Sequence, residues 1–189
     1  MKRIGLFGGS FDPVHNAHLA LAHAALRDLA LDELRWVPAG QPWQKTRVVT
    51  AAAHRAAMVA LAIDGEPRFV LDRIELDRPG PSYTLDTVRA LQVAQPGARW
   101  FLIVGQDQQA GLPTWQGVDE LRGLVTLAVA GRPGAPPVSP SSGMVFTIAL
   151  PPMTLSSTEV RARCAAGLPI AEMVPKQVAR YIDQHGLYR

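Results

Sequence analysis

The sequence predicts an α/β protein with a doubly wound, mostly parallel sheet and helices on both faces. Segments of strand length alternate with segments of helical periodicity along most of the 189 residues. Several strand segments are apolar throughout, which is typical of strands buried on both faces. Two of them end directly in glycine, at Gly8 and Gly105. Ligands of such sheets bind beyond the carboxyl ends of the strands, so a site is expected at these glycines.

The first strand and helix begin the alternation. The apolar run from Ile4 to Phe7 predicts a buried strand. Apolar residues at helical spacing from Ala17 to Ala30 predict a helix that packs one face on the sheet. A second short strand, from Leu34 to Val37, ends at Pro38.

The middle of the chain contains two further helices. Thr50 is expected to cap a helix that continues to about Ile63. Strand segments follow at residues 69–71 and 74–76, before a turn rich in proline and glycine. Helical periodicity returns at residues 85–95. Arg55, early in the first of these helices, could contact a phosphate, but a structural role is expected.

The C-terminal half repeats the alternation. The remaining predicted elements, in order, are a strand at residues 100–104, a helix at 116–122, strands at 124–130 and 145–150, and helices starting at about Ser157 and Pro175. Residues 131–143 are rich in Gly, Pro and Ser, which predicts an exposed, mobile loop. No repeat or boundary is visible, so we expect one domain over residues 1–189.

Composition is that of a soluble globular protein, with 48% hydrophobic and 19% charged residues. No apolar run approaches the roughly 18 residues that span a bilayer, and we expect neither a membrane helix nor a secretory signal. The single cysteine, Cys164, fits a reducing cytoplasm. The net charge of +3 is spread along the chain, which does not favour a nucleic-acid surface. The pattern predicts no particular oligomeric state.

The turn after the first strand gathers groups that bind phosphate. Gly8 and Gly9 let the backbone approach a ligand closely. If the next helix starts at Asn16, its free amides favour an anion, and His15 and His18 lie beside them. These features together predict a nucleotide phosphate site. The glycines do not form G-x-G-x-x-G, and no G-x-x-x-x-G-K-[ST] occurs, which disfavours a dehydrogenase and a P-loop NTPase.

Residues 8–19, Gly-Gly-Ser-Phe-Asp-Pro-Val-His-Asn-Ala-His-Leu, resemble the signature of the nucleotidyltransferases with an H-x-G-H motif. This version of the motif, which begins Gly-Gly-Ser-Phe-Asp-Pro, is typical of nicotinate-nucleotide adenylyltransferases. The resemblance implies a Rossmann-like nucleotidyltransferase fold, and it implies ATP binding at Gly8, Gly9, Ser10, Phe11 and His18. Ala17 departs from the motif, since the family has glycine there, and its methyl group narrows the approach of phosphate to the backbone.

A second phosphate motif lies near the C-terminus, at Ser156-Ser-Thr-Glu-Val-Arg161. Ser156 and Glu159 have the spacing of a capping box. Hydroxyls, free amides and a guanidinium at a helix start also form a polyphosphate cradle. The segment resembles the I-S-S-T-x-[IV]-R motif of the same superfamily. This implies that the ATP phosphates are bound by Ser156, Ser157, Thr158 and Arg161, opposite the histidines.

Three further segments resemble the remaining substrate contacts of the family. Residues 81–87 resemble the S-Y-T-x-D-T segment, which implies that Tyr83 and Thr84 line the pocket for nicotinate mononucleotide, together with Ser10. Residues 112–121 match a tryptophan-bearing segment, which implies stacking of Trp115 on the pyridine ring. Gly105-Gln-Asp107 resembles the family's G-x-D, which implies ATP binding there. Helix capping and a buried tryptophan are the structural alternatives for the first two segments.

Residues 37–45 resemble the family loop whose basic residue, here Lys45, reaches the phosphates of the bound nucleotides. A solvated lysine is the alternative. Together the resemblances imply His15, His18, Lys45 and Arg161 as catalytic residues. Mg²⁺ would be carried mainly by the ATP phosphates, so no protein metal ligand is assigned, although Asp12 and Asp107 are candidates.

The implied reaction is transfer of AMP from ATP to nicotinate mononucleotide, which yields nicotinate adenine dinucleotide and pyrophosphate in NAD biosynthesis. It proceeds by in-line displacement without a covalent intermediate. The expected partners are these two small molecules, with neither nucleic acid nor membrane, in the cytoplasm. Two other readings stay open at this point. One is a different adenylyl or cytidylyl transferase, such as the phosphopantetheine enzyme, and the other is a non-catalytic nucleotide-binding regulator.

Overall fold

The computed structural model describes residues 1–41, 48–131, 145–151 and 153–189, except for the side chains of Gln106 and Asp107. Within these residues the chain forms six strands and seven helices. The strands are Arg3–Gly9 (β1), Glu33–Pro38 (β2), Phe69–Leu71 (β3), Arg99–Val104 (β4), Thr126–Gly131 (β5) and Val145–Ala149 (β6). The helices are Asn16–Asp28 (α1), Ala52–Ile63 (α2), Thr84–Ala94 (α3), Gln106–Gly111 (α4), Val118–Leu124 (α5), Ser157–Ala165 (α6) and Lys176–Gln184 (α7).

The six strands form one sheet in the order β3-β2-β1-β4-β5-β6, and every neighbouring pair is parallel. The predicted fold class is therefore confirmed. Ile4 of β1 is in register with Glu33 of β2 on one side and with Trp100 of β4 on the other. The chain continues from β1 to β2 and β3 on one side of the sheet, whereas β4, β5 and β6 follow on the other side. The chain connections therefore run in opposite directions on either side of the boundary between β1 and β4. That is where an open α/β sheet has its binding crevice.

Two apolar cores cover the two faces of the sheet, as the uniformly apolar strands predict. Along β4, Trp100, Leu102 and Val104 belong to one core, and Phe101 and Ile103 to the other. Helices α1, α2, α6 and α7 pack on the Phe101 face, whereas α3 and α5 pack on the Trp100 face. Helices from different parts of the chain, packed on opposite faces, therefore meet at the edge of the sheet where the strands have their carboxyl ends. None of the described helices is long and apolar enough to cross a membrane.

Residues 74–76 form a turn, so the strand predicted there is wrong. The Asp72 carboxylate accepts a hydrogen bond from the amide of Ile74 at 3.0 Å, and the Arg73 carbonyl accepts one from Asp77 at 2.9 Å. These local bonds wind the chain up directly after β3. Side chain to backbone bonding of this kind competes with the sheet ladder.

Other boundaries differ by a few residues. The N-cap of α2 is Ala51 and not Thr50, whose amide donates to Asp12 Oδ2 at 3.3 Å. The helix predicted at 116–122 starts at Val118, after Gly117 in the left-handed region (φ 66°). The short helix α4 was not predicted. The expected mobile loop at residues 131–143 falls almost entirely outside the described residues.

Candidate active site

A cavity of about 1040 Å³ lies beyond the carboxyl ends of β1 and β4. It is large enough for a dinucleotide-sized ligand. Fourteen of the residues proposed from the sequence line it: Gly8, Gly9, Ser10, Phe11, His15, His18, Tyr83, Thr84, Gly105, Trp115, Ser156, Ser157, Thr158 and Arg161. Lys45 and the side chain of Asp107 lie outside the described part of the structure.

The turn between β1 and α1 leaves room for a ligand at Gly8, whereas a Cβ atom added at Gly9 would lie 3.1 Å from the ring of Phe11. A Cβ atom added at Gly8 would have the Val37 carbonyl oxygen, 4.0 Å away, as its nearest neighbour. Phe11 behaves differently, because its side chain is only 2% exposed and contacts Phe7 and His18. Its φ of 46° lies in the left-handed region. We infer that Phe11 shapes the wall of the cavity through packing.

The two histidines lie against each other at the start of α1. Their rings stack, with centroids 3.6 Å apart and planes 21° apart. The amide of His15 donates to Nδ1 of His18 at 3.1 Å, and His18 is the third residue of the helix. Since Nδ1 of His18 is an acceptor, the proton of the neutral ring is on Nε2. His18 therefore offers an Nε2–H donor to a ligand in the cavity.

Burial keeps both histidines neutral. It lowers the pKa of His15 to about 4. Burial also lowers the pKa of His18 well below its ordinary value, and the nearby His15 lowers it further. His15 is 6% exposed, and its Nδ1 has no hydrogen-bond partner among the described residues. Near pH 7 the pair can therefore donate hydrogen bonds to an anion without bringing two positive charges into contact.

The start of α6 faces the histidines. Ser156 caps the helix, with its Oγ accepting from the amide of Glu159 at 3.2 Å. The reciprocal bond of the predicted capping box is absent among the described contacts. The hydroxyl of Ser157 donates to the Pro13 carbonyl at 2.9 Å. This bond ties α6 to the β1–α1 turn, so the two predicted phosphate motifs are held together.

Arg161 is the basic residue, apart from the histidines, among the described lining side chains. One of its NH groups donates to the Asp12 carbonyl at 2.8 Å and another to Thr158 Oγ1 at 3.2 Å. The guanidinium is thus oriented by both phosphate motifs. Its fixed charge favours an anion in the cavity beside the neutral histidines.

Asp12 does not line the cavity, which argues against it as a contact for a metal ion there. The residue is fully buried, and its Oδ1 accepts a hydrogen bond from the hydroxyl of Tyr188 at 2.7 Å. Arg55 supports the same turn, since its guanidinium donates to the carbonyls of Thr50, Ser10 and Gly40. Its expected structural role is confirmed.

The other face of the sheet supplies a second set of lining residues. Thr84 is the first residue of α3, and Tyr83 is its N-cap. Trp115 follows a short 3₁₀ turn and is partly exposed to the cavity. Gly105 caps α4, with its amide donating to Gln108 Oε1 at 3.3 Å.

Sequence reasoning missed several functional candidates. Glu75 was assigned to a strand, yet it is buried and lines the cavity. Gln108 and Gln116 also line it. Tyr188 was not singled out from the sequence, because its bond to Asp12 joins residues 176 positions apart in the chain. The one signal available for Glu75 was an acid between two apolar residues, Ile74 and Leu76, in a segment predicted to be a strand.

The chain is similar to known proteins along its whole length. A family model described as cytidylyltransferase-like matches residues 6–163. A probable nicotinate-nucleotide adenylyltransferase of Methylibium petroleiphilum is 54% identical, covering 99% of this chain and 92% of the relative. One of Bordetella petrii is 46% identical and covers all of both chains.

Solved structures show the same fold. The Plasmodium falciparum nicotinic acid mononucleotide adenylyltransferase complexed with NaAD superposes with a TM-score of 0.81 at 20% identity. The match covers 100% of this chain and 98% of that one. With its fold, its two phosphate motifs in one cavity and its full-length relatives, the chain belongs to the nicotinate-nucleotide adenylyltransferase family.

Proposed function

We propose that the chain transfers AMP from ATP to nicotinate mononucleotide, giving nicotinate adenine dinucleotide (deamido-NAD) and pyrophosphate. The observation that carries this is a cavity supplied from both faces of the sheet. The starts of α1 and α6, on one face, bring donors suited to a triphosphate. The start of α3 and Trp115, on the other face, supply a wall suited to an aromatic acceptor. The names of relatives at 46–54% identity support the same activity.

The reaction needs positioning more than covalent chemistry. The 5′-phosphate of the acceptor is already ionised near pH 7, so it can attack the α-phosphorus in line and displace pyrophosphate. The enzyme must hold two polyanions together and stabilise the charge that develops between them. We assign hydrogen-bond donation to His15 and His18, and a fixed positive charge to Arg161. Lys45, proposed from the sequence, would add a second charge.

Gly8, Gly9 and Ser10 would bind the nucleotide through their backbone, as would Gly105. The hydroxyls of Ser156, Ser157 and Thr158 would lie along the phosphates. Tyr83 and Thr84 would bind the nicotinate part of the acceptor through main-chain donors, and Trp115 would stack on the ring. We also propose that the 189 residues act as one domain, because residues from Leu6 to Arg161 line one cavity and Tyr188 bonds to Asp12 in the β1–α1 turn.

Mg²⁺ is proposed to arrive with ATP. Among the side chains that the structure describes, no three of His, Cys, Asp and Glu come together to hold a metal ion. The residues that line the cavity therefore do not fit a metal held by the protein alone. Mg²⁺ commonly keeps several waters and binds substrate phosphates with few protein carboxylates, which fits this cavity. The ion would neutralise phosphate charge.

Pyrophosphate release from ATP tests the proposal. The purified protein is incubated with ATP, Mg²⁺ and, in parallel, nicotinate mononucleotide, nicotinamide mononucleotide or phosphopantetheine. We expect release with nicotinate mononucleotide and a product with the mass of nicotinate adenine dinucleotide. Release with phosphopantetheine and with neither mononucleotide would assign the chain to the phosphopantetheine adenylyltransferases. No release with any acceptor, together with ATP binding, would favour a nucleotide-binding regulator.

A further inference from the structure

Glu75 is a buried acid in the cavity that the proposed reaction does not use. It is 7% exposed and lies in the turn after β3. Among the lining residues whose side chains the structure describes, it is the one carboxylate. A buried carboxylate is costly unless it is hydrogen-bonded, so its partners indicate what it does.

One hydroxyl donates to this carboxylate. Thr87 Oγ1, which is fully buried, donates to Glu75 Oε1 at 2.7 Å. Ser82 lies near the same carboxylate, and its side chain lowers the pKa of Glu75. Ser82 Oγ itself accepts from the amides of Gly40 at 2.9 Å and Gln41 at 3.2 Å. Ser82 therefore fastens the segment before α3 to the loop after β2.

The contacts of Thr87 with Glu75 and of Ser82 with the loop after β2 hold both ends of one short segment. Ser82 and Thr87 flank Tyr83 and Thr84, the N-cap and first residue of α3, which line the same cavity. Arg78 extends the network, because its NH group donates to Thr87 Oγ1 at 3.0 Å. The position of the segment relative to the sheet therefore depends on Glu75.

The main chain of Glu75 fixes a third element. A Cβ atom added at Gly40 would lie 2.1 Å from the Glu75 carbonyl oxygen, so only glycine allows this contact. Gly40 belongs to the loop after β2, and Ser82 donates its own amide to Gln41 of that loop at 3.1 Å. Glu75 thus joins the β2 loop, its own turn and the start of α3 at one wall of the cavity.

Stability alone does not account for a carboxylate at this place. Burial raises the pKa of Glu75, while the side chains of Thr87 and Ser82 lower it. Apolar residues of similar volume are often at least as stabilising as buried charged groups. What this hydrogen-bond network determines is the conformation of residues 82–87.

We propose that Glu75 is a positioning residue that sets the acceptor pocket by holding Thr87, whose amide donates to the carbonyl of Tyr83, and through it Tyr83 and Thr84. This rests on the proposed function, in which that segment binds nicotinate mononucleotide. Among the contacts described, none joins Glu75 to His15, His18 or Arg161. Its loss therefore affects binding of the acceptor and leaves binding of ATP in place.

Steady-state kinetics of Glu75→Ala separate the two substrates. We expect the KM for nicotinate mononucleotide, at saturating ATP, to rise about tenfold or more, because the hydrogen bond from Thr87 to the Glu75 carboxylate is lost. The KM for ATP, at saturating acceptor, should stay within about twofold of wild type. Glu75→Gln should raise the acceptor KM less, since its amide oxygen can still accept one hydroxyl. Asp77→Asn, which removes an exposed carboxylate two residues away, is the matched control and should change neither value.

Equal rises in both KM values, a fall in kcat alone, or no change in Glu75→Ala would overturn the inference. If that variant does not fold, Thr87→Val removes the hydrogen bond to Glu75 from the other side, and the same selective rise in the acceptor KM is expected. A wild-type protein that releases no pyrophosphate with nicotinate mononucleotide would instead overturn the proposed function. An active wild type with an unchanged acceptor KM in the variants removes only the role of Glu75.

Discussion

At the scale of the residue, the role proposed for the histidine pair is to donate hydrogen bonds in the neutral form. A cationic histidine would attract phosphate more strongly, but two stacked imidazolium rings at 3.6 Å would repel each other in a buried place. The low pKa of His15 and the acceptor role of His18 Nδ1 both favour the neutral form. The positive charge is left to Arg161, whose guanidinium keeps its proton. Donors and charge are thus supplied by different residues.

Removal of the His18 ring should leave the fold intact and slow the reaction. His18→Ala deletes the Nε2–H donor, and we expect kcat to fall by about 10²–10⁴, as is usual when a catalytic donor is lost. Pyrophosphate release at saturating substrates measures this. His23→Ala is the matched control, because His23 is an exposed residue of the same helix and should not alter kcat. A His18→Ala enzyme with near-normal kcat would remove His18 from the catalytic set.

At the scale of the element, the β1–α1 turn is held from several sides. Arg161 and Ser157 of α6 donate to its carbonyls, and Arg55 of α2 donates to Ser10. The C-terminal Tyr188 donates to the Asp12 carboxylate. Burial and the neighbouring carboxylate raise the pKa of Tyr188, so it remains a donor at all ordinary pH values.

The bond between Tyr188 and Asp12 should contribute measurably to stability. Tyr188→Phe removes one donor to a fully buried carboxylate, which we expect to lower the free energy of unfolding by about 1–3 kcal/mol. Urea denaturation of the ligand-free protein measures it. Tyr181→Phe is the control, because that hydroxyl bonds His54 at 3.0 Å in a less buried place, and its loss should cost less. A Tyr188→Phe protein as stable as wild type would show that the contact adds nothing to the fold.

Strands and helices that are defined by local sequence signals could be predicted from the sequence. The apolar strands and the starts of α1, α6 and α7 follow from periodicity and capping residues. The turn at residues 74–76 was not predicted, because the local bond from Asp72 overrode an apolar pattern that resembles a strand. The helix α4 is too short for periodicity to reveal it. Glu75 lies in the turn at residues 74–76 and was missed for the same reason as that turn.

At the scale of the whole molecule, the sequence predicted a parallel sheet but no order of strands. Local periodicity encodes which residues are buried and does not encode which strands pair. The same limit applies to the candidate site. Sequence motifs located the proposed phosphate donors, whereas the contact of Tyr188 with Asp12, 176 residues apart, depends on tertiary packing alone.

The buried histidines should make the stability of the whole molecule depend on pH. His15 has a folded pKa of about 4 against an ordinary value of 6.5, so between these values the unfolded chain binds a proton that the folded chain does not. Stability is therefore lost as pH falls. For His15 alone we expect a loss of about 2 kcal/mol in the free energy of unfolding between pH 7 and pH 5.

Urea denaturation at pH 7, 6 and 5 measures this, with His15→Asn as the comparison. The variant keeps every other titrating group, so the difference in pH dependence between the two proteins isolates His15. We expect the loss between pH 7 and pH 5 to be smaller in the variant by about 2 kcal/mol. Saturating ATP should also reduce the loss in wild type, since a phosphate beside an imidazole favours its protonated form. Identical pH dependence in wild type and His15→Asn would mean that His15 titrates in the folded protein as it does in the unfolded chain.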